Sequence, residues 1–114
     1  MRSVSLSVDS RPPTRHDPGR CADRTSPNAL PLFRATAAVV AEEPDAFPIR
    51  GGVRIVVTSS EPLPEPSGYG PADAMIEVLI DAGLLADERL VERERYNVRP
   101  ETTGYSISVE PANL

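Results

Sequence analysis

The side chains of this chain with chemistry to offer are carboxylates, arginines, one histidine and one cysteine. Asp73, Glu77 and Asp81 recur every four residues, so on a helix they stack as one stripe. Such a stripe is a metal shelf, a face for a basic partner, or a solvated surface. Like charges at this spacing cost only about 0.2–0.5 kcal/mol, and the solvated surface is the reading adopted. Asp87 and Glu88 adjoin Arg89, a grouping that reads as a polar turn with an exposed ion pair of little energetic weight. His16, beside Asp17 in an arginine-rich stretch, reads as an exposed side chain. Cys21 has no second cysteine with which to form a disulfide or a metal pair. Gly68-Tyr69-Gly70 is too generic for a phosphate loop. Arg11, Arg15, Arg20 and Arg24 fall in one proline-rich stretch. They are candidates for DNA phosphate contacts, although a solvated basic coil has the same sequence.

Composition narrows the classes. All 12 basic residues are Arg, so no ammonium side chain is present to act as a general acid or a compact phosphate contact. The net charge of −5 argues against a generic nucleic-acid binder. Its distribution is uneven. Residues 1–34 carry six Arg against three Asp, whereas residues 35–114 carry six Arg against fourteen acids. A basic arm beside an acidic body follows. The 114 residues make room for one domain with a modest core, 1–114, which dimerisation would help to bury. The single cysteine fits a reducing, cytoplasmic setting. No apolar run reaches the roughly 18 residues of a membrane span, and the first residues lack the apolar stretch of a signal peptide.

Periodicity places these residues on elements. Val4, Leu6 and Val8 alternate with serines, which predicts a half-buried strand over 4–8. An Arg- and Pro-rich loop occupies 11–27. Ser26 and Pro27 suit an N-cap and first helical position, ahead of an Ala-rich helix over 28–43. Leu32, Ala35 or Thr36, Val39 and Val40 form its buried face. The β-branched run 53–58 predicts a central strand, and Pro62, Pro64 and Pro66 end it in an extended loop. Residues 72–85 predict the second helix, with Ala72, Met75, Ile76, Leu79, Ile80 and Gly83 on one apolar face. After a turn at 86–88, residues 90–96 alternate Val91, Arg93 and Arg95 against Glu92, Glu94 and Tyr96, read as an edge strand. A turn over 100–104 leads to a last strand carrying Tyr105, Ile107 and Val109. The order β-α-β-α-β-β defines a small α/β (α+β) domain.

The stretch Glu65-Pro66-Ser67-Gly68-Tyr69-Gly70-Pro71, followed by Leu79-Ile80-Asp81-Ala82-Gly83-Leu84-Leu85-Ala86-Asp87-Glu88, resembles the core motif of the RusA-like Holliday-junction resolvases. In that family an Asp-x-Asp-Asn segment precedes a helix that closes in a phrase near Leu-Val-Asp-Ala-Gly-Leu-Leu, and an Asp-Asp pair follows. The resemblance runs along about the whole chain, and residues 65–91 carry its specific weight. It implies a mixed sheet with two helices, and a homodimeric endodeoxyribonuclease that cuts branched DNA with magnesium in recombination and repair, of phage or prophage origin. By the same resemblance Glu65, Asp87 and Glu88 are the metal ligands, with Asp87 and Glu88 catalytic; on that reading the basic stretch with Arg11, Arg15, Arg20 and Arg24 supplies the DNA phosphate contacts. The second loop Asp falls on Ser67, the Asn on Gly68, and a helical Lys near Asp73. The acid set is therefore eroded: one carboxylate is lengthened, one lost, and one positive charge reversed. Two alternatives stay open, a catalytically inactive RusA-fold binding module and an acidic, DNA-mimic-like domain that docks a basic protein.

Overall fold

The computed structural model describes residues 3–10, 12, 29–62 and 73–112. Four strands and two helices follow the expected order: β1 (Val4–Val8), α1 (Ala29–Glu42), β2 (Val53–Ser59), α2 (Asp73–Asp81), β3 (Val91–Val98) and β4 (Tyr105–Pro111). The strands form one mixed sheet in the order β1-β4-β2-β3. β4 runs antiparallel to both β1 and β2, whereas β3 runs parallel to β2. A parallel neighbour requires a crossover, and α2 lies on it.

Alternation along the strands decides which face is dry. On β2, Val53, Ile55 and Val57 are buried and the residues between them are half-buried. The register sets Ile55 against Val109 and Val57 against Ile107, and β1 adds Leu6 and Val8 across from Ile107 and Tyr105. Stiff β-branched side chains suit this pleated surface. Both helices close the same face. α1 supplies Ala29 and Leu32, and α2 supplies Met75, Ile76, Val78 and Leu79, to one continuous core. Thr36 is also fully buried, and its hydroxyl donates to the Leu32 carbonyl at 2.7 Å, which removes the cost of an unpaired polar group. Val39 and Val40 are half-buried against that core. The helix cap expected at Ser26 and Pro27 lies outside the described residues.

Helix α2 ends at Asp81, earlier than the expected 85. Gly83 adopts φ +88°, a left-handed backbone that favours glycine. There the Leu84 N–H donates to the Leu79 carbonyl and the Gly83 N–H to the Ile80 carbonyl, both at 3.0 Å, which is the double bond of a glycine C-cap. Gly83 is thus the terminator of the helix and not part of its apolar face. Leu84 and Leu85 are buried all the same, because the chain beyond the cap runs beside Ile49. Gly104, at φ +71° before β4, meets the Val8 carbonyl so closely that a Cβ has no space.

Candidate functional site

The linker from α2 to β3 carries Asp87 and Glu88. It is pinned to the segment that precedes β2 by two backbone hydrogen bonds, Ile49 N–H to the Leu84 carbonyl at 2.8 Å and Ala86 N–H to the Ile49 carbonyl at 3.0 Å. A short 3-10 turn, Glu88–Leu90, then delivers the chain into β3. Asp87 caps that turn. One carboxylate oxygen accepts from the Arg89 N–H at 2.9 Å, and the other accepts from the Arg89 guanidinium at 3.1 Å. The backbone N–H of Arg89, then its guanidinium, hold the Asp87 carboxyl below the usual carboxylate range, and the same contact raises the Arg89 pKa. Glu88 is exposed.

These two acids sit at the Val53 end of β2, since Val53 pairs with Val91. The chain leaves β2 at Ser59, at the other end, about 20 Å away for six strand steps. Glu65 lies outside the described residues, as do Arg11, Arg15, Arg20 and Arg24. Among the described residues no three His, Cys, Asp or Glu side chains gather as a metal site. Magnesium takes several hard oxygen donors at once, whereas Asp87 turns both of its oxygens toward Arg89 and Glu88 is exposed. Asp87 and Glu88 alone therefore do not make up a magnesium site among the described residues. Of the α2 acids, Asp81 is exposed, while Asp73 and Glu77 are half-buried, so the stripe is not wholly a solvated face.

Two surfaces escape a motif-based reading. On β3 the register places Arg93, Arg95 and Asn97 beside Arg54, Val56 and Thr58, on the sheet face opposite both helices. Glu94, Tyr96 and Val98 point to the helix side, and among the described residues Tyr96 and Val98 are the exposed large apolar side chains. The alternation in 90–96 was the available signal, but it needs a partner strand before it names a face. Separately, an open hollow of about 430 Å³ lies between β1 and the end of α1. Val4, Val39, Phe47 and Ile49 floor it, and Glu42 and Glu43 rim it.

No helix among the described residues is long and apolar enough to cross a membrane. Comparison with known protein families and with well-characterised proteins found no match.

Proposed function

We propose that this chain is a RusA-like domain that binds branched DNA as a homodimer and whose magnesium-dependent cleavage is impaired. What supports the reading is the stretch from Asp73 to Val98: a helix closed by glycine, then an acid pair, then a strand, in the order that the motif resemblance implies. The impairment rests on one observation, the clasp of Arg89 on Asp87, added to the eroded acids at Glu65 and Ser67. In an active relative of this design the carboxylates would hold magnesium, which activates water and neutralises charge on the phosphodiester.

The test uses a synthetic four-way junction and a linear duplex of the same sequence. Salt-dependent binding that favours the junction is expected, with at most trace nicking in magnesium. Absence of binding at low salt overturns the functional reading. Brisk paired nicking that vanishes in Asp87→Asn, Glu88→Gln overturns the impairment.

The acid-rimmed hollow favours a second reading, a domain that takes up a basic protein segment. Glu42 and Glu43 would meet the charge, and Phe47 and Val39 the aliphatic stem. In that case a basic peptide binds and the junction does not.

A further inference from the structure

We infer that the outer face of the sheet, at its β2–β3 half, is where DNA phosphates rest; the inference takes the DNA-binding reading as given and names the surface that performs it. Arg93, Arg95 and Arg54 share that face by register. Arg54 is held by Glu110, with its guanidinium nitrogens at 2.9 and 2.6 Å from one carboxylate oxygen. Arg93 and Arg95 are exposed, and neither forms an ion pair among the described residues. They stand two residues apart on an edge strand, so their side chains leave the same side about 6.6 Å apart.

The rest of the face suits a polyanion. Ser5 pairs with Ser108 and Ser7 with Ser106. Ser108 and Ser106 in turn pair with Val56 and Thr58, and Thr58 with Asn97. These short side chains leave a flat surface of hydroxyl and amide donors, with Val56 the one large apolar group in those rows. Backbone phosphates take hydrogen bonds from such groups as well as from arginine.

The acids of the two helices do not oppose this placement. Glu42, Asp73, Glu77 and Asp81 belong to the helices, which cover the other face. Across a sheet and a helix layer they lie beyond the screening length of about 8 Å at physiological salt. On the outer face the sole carboxylate in the paired rows, Glu110, is matched by Arg54. Glu92, at the bulge where β3 begins, turns its carboxylate toward Gly52 at the Val53 end of this face, so the positive charge of the face is concentrated at Arg93 and Arg95.

The experiment measures junction binding by fluorescence anisotropy across a salt series. The variants are Arg93→Gln/Arg95→Gln, Arg93→Lys/Arg95→Lys, and Arg34→Gln as a helix-layer control. The Gln pair is expected to bind about tenfold more weakly, with a log–log salt slope shallower by about 2, one for each lost phosphate contact. The Lys pair keeps the slope, and Arg34→Gln matches wild type. Wild-type affinity and slope in the Gln pair, or an equal loss in Arg34→Gln, overturns the surface while leaving DNA binding intact. If the wild-type chain fails to bind DNA at low salt, the functional reading and the surface fall together.

Discussion

Tyr105 opens β4 with its ring fully buried and its hydroxyl without a hydrogen-bond partner among the described residues. A buried, unpaired hydroxyl costs about 1–3 kcal/mol, whereas the ring around it contributes by packing against the core. Tyr105→Phe removes the first and keeps the second, so it is expected to leave stability in urea unchanged or raised. Burial also pushes the phenol well above its ordinary value of 10.0. The sign follows from proton counting. Above pH 10 the unfolded chain loses this proton while the folded chain keeps it, so stability is intact below that pH and declines as pH rises past it. Tyr105→Phe should flatten that alkaline decline. A decline of wild-type steepness in the variant would show that the hydroxyl is not the group responsible. The alternation of Tyr105, Ile107 and Val109 made the burial of this residue legible. The orphan hydroxyl was not, because whether a buried donor finds a partner depends on chain that is distant in sequence.

At the scale of elements, short-range pattern carried the strands and helices, and pairing decided what the pattern could not. Val53, Ile55 and Val57 announce a buried strand whatever lies beside them. That β3 pairs in parallel with β2, and that β4 inserts between β1 and β2, are long-range facts with no local signature. The end of α2 shows the same limit. Leu84 and Leu85 continue the apolar rhythm, so the helix reads on to 85, but their burial comes from the passage beside Ile49, and Gly83 stops the helix first. On β3, beyond the bulge at Glu92, Arg93 and Arg95 share one side of the strand and Glu94 takes the other. A second copy pairing antiparallel about residues 93–95 would set like charge opposite like, which guards an exposed edge against self-association. Glu94 lies on the helix side between Val91 and the exposed pair Tyr96 and Val98. Glu94→Val should therefore create an apolar row along the edge and enlarge the particle measured by light scattering. An unchanged particle size would show that other features protect this edge.

For the molecule as a whole, only one half of the acid motif, Asp87 and Glu88, falls among the described residues. Asp87 and Glu88 enter β3 at the Val53 end of β2, whereas Glu65 and Ser67 follow Ser59 in sequence and lie outside the described residues. Spacing along a sequence says nothing about whether two such groups converge, so the motif names candidate acids and leaves their geometry open. The departures from the motif supply the means to find out. A chain carrying Glu65→Asp, Ser67→Asp, Gly68→Asn and Glu88→Asp carries the loop and acid pair of the RusA-like motif that the sequence resembles, and Arg89→Ala frees the Asp87 carboxylate from its clasp. Restoring a magnesium carboxylate is worth far more than one tenfold step of rate. The combined variant is therefore expected to nick a four-way junction at least about tenfold faster than wild type, in magnesium only, with Asp87→Asn in the same background returning it to the wild-type level. A combined variant that folds and binds the junction yet stays inert in magnesium would mean that these five positions do not share a pocket. In that outcome the motif likeness would describe the architecture of the chain and not its chemistry.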